Sequence, residues 1–198
     1  MPDTGAPWNI PYVESTDLVS DWPADSLALA NAIDSGLDAA GGLVAVKHAL
    51  FTGTQSASLA PATNFAVTDL SITHTLSSAS NKLIISAYIG SAASSEVGAR
   101  VAMAVADNGT LIAIGDAAGD RVRSTVSGFN NNNAGRIVSH AATFIYEPGD
   151  TASHTFTVRA ISQRNVTQTV YVNRSDDDTD NETRARSSSG LVIQEVKV

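Results

Sequence analysis

The chain has 198 residues, of which 43% are apolar and 16% charged, with no cysteine and a net charge of −8. This suits one domain of ordinary size with an appendage, and it excludes a disulfide scaffold, a cysteine-based zinc site and a cysteine nucleophile. The acidic balance argues against nucleic acid as a partner, because phosphate binding needs a basic face. No apolar run approaches the roughly 18 residues that span a bilayer, so no membrane insertion is expected. The start, Met1-Pro2-Asp3-Thr4-Gly5, has neither the basic nor the apolar segment of a signal peptide. Ala, Ser and Thr together make 71 residues. Small side chains bury little area each, so a lone copy would have a thin core, which favours an oligomer.

Residues 1–42 hold seven acids and no base, whereas 51–198 hold 13 acids and 11 bases. The first 22 residues contain Pro2, Pro7 and Pro11 and both tryptophans, Trp8 and Trp22. Proline fixes φ and biases its predecessor toward extended backbone, so an extended arm is expected. Trp8, Ile10, Pro11, Tyr12 and Trp22 are its candidate docking anchors, since large apolar side chains on an arm without a core need a surface to cover them. A short helix follows. Ser20 or Asp21 can cap it, Pro23 fits its first turn, and Gly41-Gly42 ends it. Leu29, Ile33 and Leu37 recur at i, i+4 and i+8, forming one apolar stripe expected to make an oligomer contact.

From residue 43 the apolar period changes to two. Leu43-Val44-Ala45-Val46 opens a strand, and 43–64 could serve as a neck. Leu70, Ile72, His74 and Leu76 alternate. The run 82–89 is continuously apolar, as in a strand buried on both faces. Val101, Met103 and Val105 alternate and lead into Asp107-Asn108-Gly109, a hairpin signal. Further strands are expected over 121–126, 137–146, 156–161, 169–172 and 191–198. About nine strands at this spacing, with no helical pattern between them, predict a mainly β fold: an antiparallel, jelly-roll-like β-sandwich over 43–198.

Catalytic constellations are not evident: no metalloprotease, phosphate-loop, dinucleotide or nucleophile-elbow pattern occurs. The four histidines, His48, His74, His140 and His154, stand alone in strand-like stretches and read as hydrogen-bonded or interface residues. No catalytic residue, metal ligand or cofactor site is assigned. Asp176, Asp177, Asp178 and Asp180 form the most conspicuous charged run. Asp176, Asp178 and Asp180 mimic the first ligands of a calcium loop. The match then fails, because Asn181 replaces the turn glycine and Ser187 the bidentate Glu. Pairing of these carboxylates with Arg174, Arg184 and Arg186 is the simpler expectation. A polar loop, Asn130, Asn131, Asn132 and Asn133, could offer its amides to a sugar.

Pro7-Trp8-Asn9-Ile10-Pro11-Tyr12, Thr16-Asp17-Leu18-Val19 and Trp22-Pro23-Ala24, followed by a short Ala/Leu helix, resemble the start of many tailed-bacteriophage virion structural (minor tail) proteins. The later stretches resemble a β-sandwich module common at the ends of phage fibres and appendages. These are Asn81-Lys82-Leu83-Ile84-Ile85, Gly115-Asp116, Thr169-Val170-Tyr171-Val172-Asn173-Arg174-Ser175, the segment 180–186 and Leu191-Val192-Ile193-Gln194-Glu195-Val196. The resemblance implies a non-enzymatic part of a virion, either a short trimeric tail fibre, tail-tip or appendage component. Residues 1–42 would dock on other virion proteins. The sandwich would project outward, with the loops at 130–133 and 176–180 facing a host-cell surface glycan or protein. A capsid-surface head fibre or decoration protein, and a lectin-like carbohydrate-binding module, are the alternatives.

Overall fold

The computed structural model describes residues 22–39, 42–96, 100–128, 137–180, 182, 184 and 186–198, without the side chains of 22–25, 34, 35 and 37–39. The chain divides into two compact units, Met1–Gly42 with Val198, and Leu43–Lys197. In the first, helix α1 spans Trp22–Ala39. It begins beside Pro23, whose missing N–H costs nothing in a first turn. Its last turn holds no basic residue.

The second unit is mainly β, and its described residues form ten antiparallel strands. These are β1 (Leu43–Phe51), β2 (Gln55–Leu59), β3 (Asn64–Thr75), β4 (Lys82–Ser94) and β5 (Val101–Asp107). They continue with β6 (Thr110–Ile112), β7 (Val138–Tyr146), β8 (Ser153–Ser162), β9 (Gln168–Val172) and β10 (Ser189–Val196). One sheet has the order β1-β10-β4-β9-β2, with β7 on β4, and the other β3-β8-β5-β6.

The register shows that β9 and β10 are one interrupted strand. β10 runs beside residues 82–89 of β4, and β9 beside 92–94 of the same strand. Likewise β1 pairs with β10 and β2 with β9. Counted so, eight strands pair first with last, second with seventh, third with sixth and fourth with fifth. That is a long antiparallel hairpin rolled upon itself, the jelly-roll architecture. Residues 43–64, a neck in the sequence reading, instead carry the edge strands β1 and β2 of the body. The segment 121–126 is no strand and makes one isolated bridge, Val126 to Met103.

Between the sheets lie Leu70, Leu83, Ile85, Ile89, Met103, Val105, Phe156, Val158, Leu191 and Ile193, all buried. At the break between β9 and β10 the fold depends on Asn173. This residue is fully buried at φ 61°, a left-handed conformation that asparagine tolerates better than most. Its Nδ2 donates to Phe51 O (3.0 Å) and Gly53 O (2.9 Å), and its Oδ1 accepts from Ser189 Oγ (2.6 Å). Its backbone N–H donates to Ser91 O at 2.7 Å. Three strands are thus stitched where the 173–188 loop leaves the sheet. Asn173→Ala should lower stability by about 2–3 kcal/mol, by orphaning these groups and placing a Cβ-bearing residue without a local bond at positive φ. Asn173→Gly should recover about 1 kcal/mol of that loss in urea unfolding.

Candidate interaction surfaces

Sheet parity decides which side chains face out. On the six-stranded sheet the outer face comes from alternate residues of β1, β10, β4 and β7. The register sets them in rows across the four strands. One row is Val46, Gln194, Ile84 and Ile145; the next His48, Val192, Ser86 and Thr143; the third Leu50, Gly190, Tyr88 and Ala141. No Asp, Glu, Lys or Arg stands in these rows. Val46 is 51%, Leu50 54% and Ile145 65% exposed. The Tyr88 ring lies over Gly190, where an added Cβ would come within 2.5 Å of it. Leu43 and Val44 extend the exposed apolar surface along β1.

The outer face of the other sheet differs in kind. Ser71, Thr73 and Thr75 of β3 stand opposite Thr157, Thr155 and Ser153 of β8. The Thr73 and Thr155 hydroxyls meet at 3.1 Å. Beyond them Ala102 and Ala104 of β5 are covered by Leu111, Ile114 and Val122. One face is therefore polar or covered by its own chain, while the other offers water an apolar sheet. The continuously apolar run 82–89 suggested burial on both faces. In the single chain only its odd positions are buried; Ile84 is half-buried and Tyr88 exposed.

The anchors Trp8, Ile10, Pro11 and Tyr12 lie outside the described residues, and Trp22 opens α1. On the predicted stripe Leu29 is half-buried and Ile33 exposed, with Leu27 exposed nearby, and the Leu37 side chain lies outside the description. Asn130, Asn131, Asn132 and Asn133 also fall outside the described residues.

The acidic run lies on the 173–188 loop, and its arginines occupy two of its carboxylates. Arg184 donates to Asp177 Oδ2 from Nε (3.1 Å) and Nη2 (2.7 Å). Asp178 takes Arg186 at 3.0 Å and Arg174 Nη1 at 3.0 Å. The Arg184 hydrogen bond holds the Asp177 carboxyl below the ordinary carboxylate range. The Arg174 guanidinium also lies 4.6 Å above the Tyr171 ring. Asp176 Oδ1 accepts the Asp177 N–H (3.0 Å), an arrangement of a self-paired loop.

Two clusters of titratable groups escaped the sequence reading, and both lie inside the sandwich. Glu195 of β10 is 2% exposed. Its Oε2 accepts from His74 Nε2 (2.8 Å), and its Oε1 from Ser77 N (2.8 Å), Ser77 Oγ (2.8 Å) and Asn81 Nδ2 (2.6 Å). Burial works to raise its pKa, but these donors, Asn81 foremost, outweigh burial and hold it at about 2. Opposite His74 in the β3–β8 register stands His154. Its Nδ1 lies 2.7 Å from Asp107 Oδ2 and its Nε2 3.0 Å from Asp150 Oδ1. Burial opposes its proton, but Asp150 and then Asp107 outweigh burial and raise its pKa. Tyr146 donates to the same Asp107 oxygen at 2.9 Å. Burial first, and then this bond to Asp107, push the Tyr146 phenol up to about 12.

Their signal was parity. His74 continues the inward alternation of Leu70 and Ile72, Asp107 that of Met103 and Val105, and Glu195 that of Leu191 and Ile193. A charged residue in phase with a core must find a buried partner. Among the described residues no three His, Asp or Glu side chains gather as a cation's ligand set, and no helix is long and apolar enough to cross a membrane. Compared with models of known protein families and with curated proteins, the chain matches none.

Proposed function

We propose that this chain is a non-enzymatic structural protein of a tailed-bacteriophage virion, a short trimeric tail-fibre, tail-tip or appendage component. Its N-terminal arm docks on other virion proteins, and its jelly roll projects for attachment to a host surface. The observation that carries the assembly is the outer face of β1, β10, β4 and β7, whose three rows carry no charged side chain, with the ion pair Lys82–Glu147 at its end. A strand composed for burial on both sides leaves one side open in the single chain. A contiguous exposed patch of a few hundred Å² is often a functional surface.

A second copy is the partner that fits. The chain carries −8 charges, so copies repel except where a face bears none. Strand spacing gives the three rows an extent of about 400 Å². Stable interfaces take roughly 800 Å² from each partner, so this face supplies about half of one. The His74–Glu195 and His154–Asp107 pairs fit a structural role, since both are engaged in hydrogen bonds within the fold.

The mass of the purified chain by light scattering tests the assembly: three times 20.5 kDa is expected. A mass of 20.5 kDa would overturn it. Deleting residues 1–21 should leave a folded body that no longer joins particles. If the truncated chain incorporates as well as the full one, the arm is not the docking element.

A further inference from the structure

In an acidic chain, one cleft of the body is basic. It lies where three connections meet: Pro61 and Ala62 between β2 and β3, Asp120, Arg121 and Val122 after β6, and Gln163, Arg164 and Asn165 between β8 and β9. Arg100, beside the first residue of β5, completes it, and the cleft encloses about 640 Å³. Three of the chain's nine arginines thus face one concavity with a single acid, Asp120.

Backbone bonds pin the walls. Gln163 N–H donates to Arg100 O (3.0 Å), Ser162 N–H to Thr63 O (2.9 Å) and Arg121 N–H to Ala118 O (3.4 Å). Arg100 O also accepts from Gln168 Nε2 at 3.3 Å. The Gln163 amide is oriented by its neighbour: Ser127 Oγ donates to its Oε1 at 3.1 Å, which leaves its NH2 as the group it can offer. Among the described residues neither Arg100 nor Arg121 belongs to an ion pair. Arg164 Nη2 lies 4.0 Å from Glu96 Oε2. Arg100 and Arg121 differ from the arginines of the 173–188 loop, where Arg174, Arg184 and Arg186 all engage aspartates.

We infer that this cleft binds an acidic saccharide, its carboxylate held by Arg100 and Arg121 and its hydroxyls by Asp120, Gln163 and Asn165. Guanidinium forks match a planar carboxylate. A bare phosphate would gain from the arginines but would be repelled by Asp120. A sugar hydroxyl, by contrast, can donate to that carboxylate. Pro61 and Val122 add apolar lining beside these polar groups. The volume holds two or three sugar units rather than one ion. This deepens the attachment part of the proposed function, yet the site is complete within one chain and does not depend on the trimer.

Titration calorimetry with trigalacturonate and with sialyllactose tests it on the full chain, against maltotriose and inorganic phosphate. At least one acidic saccharide should bind ten-fold or more tightly than maltotriose, and Arg100→Ala with Arg121→Ala should weaken it at least ten-fold. Both residues are exposed, and unchanged melting of the double variant shows that the fold is intact. Asp120→Asn should weaken the saccharide and strengthen phosphate. Absence of binding by both acidic saccharides, or binding that the double variant leaves unchanged, would overturn the inference. So would phosphate displacing the saccharide at equal concentration, which marks a general anion site. The mass measurement reports the failure of the assembly reading separately.

Discussion

Glu195→Ala should destabilise the jelly roll by about 3–5 kcal/mol, the cost of leaving several hydrogen-bond donors to a buried carboxylate without their acceptor. The carboxylate stands at the end of β10 and gathers donors from β3 and from the β3–β4 turn. It joins the two sheets at that end of the sandwich. Without it the buried His74 ring nitrogen and Asn81 amide, and the Ser77 N–H, lose their acceptor.

The same site sets an acid limb of stability. An unfolded glutamate titrates near 4.3 and the folded one at about 2. Its stabilisation is complete above the unfolded value and is lost as pH falls toward 2, a change of about 3 kcal/mol. His154 has the opposite sign. Its folded pKa is raised, so its contribution is complete below about 6.5 and is lost as pH rises through the folded value. Burial lowers the His140 pKa, so its contribution is lost as pH falls below about 6.5 and opposes that of His154; the limb below about pH 4.5 is the one Glu195 sets. Urea midpoints from pH 2.5 to 8.5 read both limbs. Glu195→Gln should flatten the acid limb and leave the alkaline one. A wild-type midpoint constant from pH 5 to 2.5 would refute the role given to Glu195.

The chain order of strands was legible because the core alternates with period two. Leu70, Ile72 and Leu76, and Val101, Met103 and Val105, point inward as their spacing demands. The hairpin after β5 was legible from Asn108 and Gly109, which adopt φ 46° and 86°. β2 was missed because Gln55-Ser56-Ala57-Ser58-Leu59 has the composition of a loop and becomes a strand only by pairing with β9. The segment 121–126 misled in the other direction. Its apolar residues cover the alanine face of β5 rather than extend a sheet, and Ala113 and Gly119, at φ 49° and 57°, turn the chain before it. The His–carboxylate pairs join residues 121 and 47 positions apart, so no local spacing could reveal them. Parity alone marked them. The open outer face was present in the sequence as the two-sided apolarity of 82–89, but only the assembled sheet shows which side the chain itself leaves uncovered.

Val46→Asp combined with Ile145→Asp should convert the trimer to a monomer of 20.5 kDa without unfolding it. The two residues occupy opposite ends of one row across β1, β10, β4 and β7. They are 51% and 65% exposed in the single chain, so the substitutions disturb little that a monomer buries. Surface changes of this kind usually shift stability by no more than about 0.5 kcal/mol per site. In an assembly the effect multiplies. Three copies would bring six new carboxylates into rows that otherwise carry no formal charge, and each would lose its water without gaining a partner. Desolvation of several kcal/mol per ion, two ions per copy, offsets most of the ~10 kcal/mol that about 400 Å² of apolar contact returns at 25 cal/mol per Å². Association should weaken by more than a thousand-fold, and light scattering at micromolar concentration should show the monomer alone. The matched pair Thr73→Asp and Thr155→Asp on the polar sheet should leave the mass unchanged. If the apolar-face variant keeps the wild-type mass, the copies meet elsewhere, and the open face of the six-stranded sheet is not the subunit contact.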